Sequence, residues 1–184
     1  WVLYTGYRYG WTPGQTGLSL ALVGLMAALV QGGLTRAVIP RLGERRATTL
    51  GLTISAVGLV AYGMAVEGWM AYGVIVVASL AGISGPAVRG LISRSVGADE
   101  QGAVQGSLNG LASVAGILGP PLATNLFGYF ISPAAPFSLP GAAFFFSSGL
   151  TVMAMLLALR SFRRELPPPG PEEVLELRVD GSGG

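Results

Sequence analysis

Gln31, Gln105 and Asn109 are the side chains best placed to do chemistry here, because each is an amide set in or beside a long apolar run. An amide left unpaired in hydrocarbon costs roughly 2–7 kcal/mol, so each must bond a neighbouring helix or face a wet cavity that orients a polar solute. Gln105 and Asn109 stand four apart and so share one helical face, for which cavity lining and helix-to-helix bonding are equal readings. Ser55 belongs to a second stripe with Gly51, Gly58 and Tyr62, which must meet another helix or a cavity. Packing is the simpler role for Ser55.

The remaining inventory narrows the chemistry. The chain has no cysteine and no histidine, so thiol chemistry, disulfides, the usual zinc or haem sites and Ser-His-Asp catalysis have no residues to use. Neither a cofactor nor a metal is expected. The apolar runs contain no carboxylate pair and no nucleophile–base set, so an enzyme is not expected either. The sequence pI of about 9.3 comes from arginines gathered at the ends of apolar runs, which read as orientation signals and not as a nucleic-acid surface.

These amides must be held by membrane helices. Charged residues make up 11% of the chain and hydrophobic ones 51%, against roughly 25% charged in a soluble domain, and the mean hydropathy is +0.61. The expected fold is an all-α membrane protein seated in the lipid bilayer.

Five complete spans follow in order, at about residues 17–39, 47–66, 69–92, 102–131 and 141–159, each near the length that crosses hydrocarbon. Trp1 to Tyr4 reads as the last turn of an earlier helix, which would make this a piece of a longer chain, and Thr5 to Thr16 as an external, aromatic-rich loop. Pro40 to Arg46 is read as a tight turn bent at Gly43. A kink is expected where Gly82 to Pro86 interrupts the third span, and another at Gly116, Gly119, Pro120 and Pro121 in the fourth. Asp99 and Glu100 stand where they could cap the fourth span. Residues 161–184 read as a disordered tail.

Arginine placement sets the orientation. Arg41, Arg45, Arg46, Arg94, Arg160, Arg163 and Arg164 fall on one side of the alternating spans and Arg8 on the other, so the C-terminus is expected in the cytoplasm. Arg36 and Arg89 lie near the same side, where their long side chains can snorkel. On the fourth span Gly102, Gly106 and Gly110 recur every four residues and bare one face of backbone. That face serves either static packing or the rocking of one helix bundle on another.

The segments Gly17 to Gly32, Arg41 to Ala47 (R-L-G-E-R-R-A), Gly68 to Tyr72 and Leu91 to Leu108 (L-I-S-R-S-V-G-A-D-E-Q-G-A-V-Q-G-S-L) resemble the C-terminal half of the tetracycline-efflux branch of the major facilitator superfamily, over about residues 1–160. The resemblance implies a twelve-helix transporter in two six-helix halves, with this chain supplying the end of helix 7 and helices 8 to 12. It implies that Arg41 to Arg46 forms the cytoplasmic loop between helices 8 and 9, although Arg36 and Pro40 stand where the related motif of the other half has a glycine and an acid. Gly116, Gly119 and Pro120 look like a counterpart of the antiporters' glycine-proline motif. Gln31 matches a glutamine of the branch. Ser55 and Ala27 replace its membrane-embedded aspartate and histidine, so proton coupling would rest on the N-terminal half.

The expectation is therefore a secondary transporter of the bacterial inner membrane that exports a drug-like or tetracycline-like small molecule with protons as coupling ion. Gln31, Gln105 and Asn109 would contact substrate. The alternatives are an uptake facilitator or symporter, and a non-transporting membrane scaffold or truncated remnant.

Overall fold

The computed structural model describes residues 1–97 and 100–164. The described residues form α1 (Val2–Tyr9), α2 (Pro13–Leu29), a π-helical segment (Val30–Leu34), α3 (Thr35–Leu42), α4 (Glu44–Met64), α5 (Gly68–Ser79), a 3-10 segment (Leu80–Ile83), α6 (Ser84–Ser95), α7 (Gln101–Ile131) and α8 (Ala142–Arg164), with no strand among them. Five helical stretches are long and apolar enough to span: Pro13–Leu42, Glu44–Met64, Gly68–Ser95, Gln101–Ile131 and Ala142–Arg163. The five-span, all-α reading agrees with this.

Several boundaries move. The stretch read as an external loop is largely helical: α1 continues to Tyr9 and ends at Gly10, which takes the left-handed conformation at φ 64°. Tertiary contact overrides its loop-like composition. Thr5 and Thr16 are buried with their hydroxyls 3.2 Å apart, and Trp1 donates its indole N–H to Ser19 Oγ at 2.8 Å. Thr12 then starts α2 through a reciprocal cap with Gln15, with Pro13 in the first turn, where its missing N–H costs nothing.

The first span runs past Pro40 to Leu42, so the turn read as Pro40 to Arg46 contracts to Gly43. Gly43 sits at φ 79° and ψ 156°, a region essentially closed to side-chain-bearing residues. Gly43→Ala is expected to cost about 1–3 kcal/mol, read as a lower thermal midpoint of the detergent-solubilised protein. An unchanged midpoint would show that the turn can adopt another conformation.

The interruption in the third span is real but sits slightly upstream. Pro86 has no N–H to offer the Gly82 carbonyl, and the preceding turn, Leu80–Ile83, tightens to 3-10 geometry. It packs beside the π-helical segment of the first span. Val30 there is 2% exposed, bonds its carbonyl to Thr35 Oγ1 at 2.8 Å, and with Ala47, Ile83 and Ala87 forms the core. Two spans therefore leave regular α geometry against each other.

In the fourth span Pro120 and Pro121 lie inside a helix that runs from Gln101 to Ile131. Their rings remove the donors for the Gly116 and Ile117 carbonyls without ending the helix. The fifth span continues through Arg164, so residues 161–164, read as tail, are helical. Residues 165–184 lie outside the described residues.

Candidate functional site

The stripe on α4 is a helix contact. A Cβ at Gly51 would lie 2.6 Å from Ser84 Cβ and 3.0 Å from the Ala81 carbonyl, and one at Gly58 would lie 2.8 Å from Ala78 Cβ. Without side chains these positions bring α4 close to the third span. Tyr62 stacks on Phe144 at 5.6 Å, and its carbonyl accepts the Tyr4 hydroxyl at 2.8 Å. Ser55 is only half-buried between the two glycines. Across the other side of α4, Ser148 of α8 donates to the Ala56 carbonyl at 2.9 Å.

The amides lie elsewhere. Gln31 is exposed on the π-helical segment, Asn109 is exposed on α7 and Gln105 is half-buried beside it. Among the described residues no side-chain hydrogen bond ties any of the three to another helix. The structure therefore leaves their polar ends open and does not bring Gln31 into contact with the α7 pair. No residue of α7 is buried. Nothing lies within 4 Å of a Cβ built at Gly102, Gly106, Gly110, Gly116 or Gly119. Toward its other end α7 makes ring contacts, where Phe127 meets Tyr4 at 6.1 Å and Tyr7 at 5.7 Å.

At the arginine-rich end the chain builds a second cluster. Glu44, the first residue of α4, pairs with Arg94 near the end of α6 at 3.2 Å. Gly90 makes room for this, since a Cβ there would collide with the Glu44 carboxylate. Arg45 donates Nη1 to the Phe162 carbonyl at 3.3 Å and lies over the Phe162 ring, tying α4 to α8. Arg41, Arg46, Arg36 and Arg89 are exposed. Glu100 occupies the N-cap position of α7, but its side chain makes no cap bond, and Asp99 lies outside the described residues. Gln101 instead tethers the helix start by donating to the Ser93 carbonyl at 3.2 Å.

In the sequence Glu44 is only one charge within R-L-G-E-R-R, and nothing there marks Gly90. The signal available was a glutamate opening a helix beside an arginine-rich turn, but its partner lies 50 positions on and only the packing of α4 on α6 supplies it.

The family profile described as Major Facilitator Superfamily matches residues 1–179. Among curated relatives, the class C tetracycline resistance protein of Escherichia coli is 37% identical over 127 residues, covering 69% of this chain and 32% of the relative. The class E tetracycline resistance protein of Escherichia coli is 33% identical over 162 residues, covering 88% and 38%. Hippocampus abundant transcript 1 protein of Mus musculus is 28% identical over 178 residues, covering 85% and 36%. The chain spans about a third of the length of these relatives. No solved structure matches it.

Proposed function

The chain belongs to the Major Facilitator Superfamily, and on that premise we propose that it supplies one side of a secondary active transporter that exports a drug-like or tetracycline-like compound in exchange for protons. The observation that carries the reading is the bare face of α7. A helix apolar enough to span presents glycines with nothing against them, beside the open amides Gln105 and Asn109. In a bilayer such a face gains nothing from lipid and serves close helix contact, and alternating access needs one bundle to rock on another around a midplane site. The names of the resistance proteins support the substrate class.

In this reading the α7 face meets the part of the transporter corresponding to the other two thirds of its relatives, with substrate between Gln31, Gln105 and Asn109. Glu44, at a helix end, is the sole acidic residue within the five spans, so the proton-carrying carboxylates come from that other part. The bundle sits in the bacterial inner membrane with its arginine-rich end in the cytoplasm.

Gln31→Ala and Asn109→Ala, made in the protein expressed from its complete reading frame, are each expected to slow drug export about tenfold, the worth of about one well-made polar contact. Unchanged export and substrate range would sink the site assignment. Net uptake would mark a facilitator or symporter, and no flux in the unaltered protein would mark a scaffold.

A further inference from the structure

The arginine-rich end holds a cavity of about 490 Å³ between the Gly43 turn and the end of α6. Its apolar walls are Leu42 and Leu91; its polar lining includes Arg45, Arg46, Arg94 and Ser95. Three arginines and one glutamate, Glu44, thus line the same cavity. The side chain of Arg94 is 80% exposed although its partner Glu44 is only 14% exposed, so the pair leaves most of the Arg94 fork facing outward. Arg46 makes no hydrogen bond or ion pair among the described residues. Arg45 is held by α8 through Phe162 and forms a fixed wall.

The cavity lies where the spans Pro13–Leu42, Glu44–Met64 and Gly68–Ser95 all end. That is the depth at which hydrocarbon gives way to headgroups. The geometry points to a binding site for an anionic phospholipid of the adjoining leaflet, its phosphate between Arg46 and Arg94 and its glycerol and first acyl carbons along Leu42 and Leu91. Charge complementarity selects the anion, because guanidinium forks hold phosphate oxygens in pairs. The leucines select an acyl-bearing ligand over a soluble one. A zwitterionic headgroup would bring a cation among the arginines. Basic pockets between membrane helices bind lipid phosphates on the same physical grounds. Glu44 acts as the internal competitor, occupying part of Arg94 when lipid is absent. The site does not depend on the transport reading.

The test is native mass spectrometry of the intact protein in detergent supplied with phosphatidylglycerol or phosphatidylcholine. Phosphatidylglycerol should be retained and phosphatidylcholine should not. Arg46→Gln, a change at an exposed position, should reduce retention about tenfold. Glu44→Gln, which releases Arg94, should increase it, while Arg160→Gln at the same end should leave it unchanged. Equal retention of both lipids, or equal loss in Arg160→Gln, would reduce the site to diffuse attraction by a basic surface and overturn it. Displacement by free glycerol phosphate at the same concentration as the lipid would overturn the lipid assignment in favour of a soluble anion.

Discussion

Gly51→Val and Gly58→Val are expected to remove most of the folded protein, with monodisperse yield after detergent extraction falling several-fold for either. Membrane helices gain nothing from burying apolar surface against one another, so their association rests on close packing of small residues. At Gly51 the first added carbon would overlap Ser84 Cβ at 2.6 Å and the Ser84 amide nitrogen at 2.9 Å. Backbone cannot rotate out of the way as a side-chain end can. The collision also falls next to the 3-10 turn Leu80–Ile83, whose geometry is already set by Pro86. Overpacking of a core costs roughly 1–3 kcal/mol, and a β-branched side chain forced against backbone belongs at the upper end. Ser55→Ala, between the two glycines but half-buried, serves as the control and should fold normally. A normal yield of Gly51→Val would show that α4 does not approach the third span this closely.

Gly106→Leu and Gly110→Leu are expected to do the reverse, leaving yield and helix content unchanged while reducing transport at least about tenfold. A Cβ at either position has no neighbour within 4 Å, so a leucine there starts into open space and replaces a weak helix former with a strong one. If the face docks on the rest of the transporter, four added carbons separate the helices and block the rocking that alternating access requires. The contrast between the two glycine pairs is the informative result, because each pair lies on a small-residue stripe along one helical face. Full transport by Gly110→Leu would mean that this face looks into lipid.

That contrast also marks where the sequence stops being readable. The five spans are legible because hydrocarbon demands long apolar runs, and the breaks near Gly82 to Pro86 follow from the missing proline donor. The Gly51–Gly58 stripe is equally legible as a contact face. Spacing cannot say which glycine stripe finds its neighbour within the chain, so the α4 and α7 faces look alike until the helices are assembled. The helix Val2–Tyr9 is hidden by its aromatics and glycine, since it depends on the buried Thr5–Thr16 contact between helices. The π-helical segment closes where both the backbone N–H and the hydroxyl of Thr35 bond the Val30 carbonyl, an arrangement no periodicity encodes. The amides are legible as polar groups within apolar runs, but among the described residues no side-chain hydrogen bond draws them to another helix.

The most direct measurement is drug flux in everted membrane vesicles containing the protein expressed from its complete reading frame, followed while a proton gradient, acid inside, is imposed and then collapsed with a protonophore. Proton-coupled export predicts drug accumulation inside the vesicles that follows the gradient, stops on its collapse, and is lost in Gly110→Leu. Accumulation indifferent to the protonophore, or no flux in vesicles that hold folded protein, would contradict it.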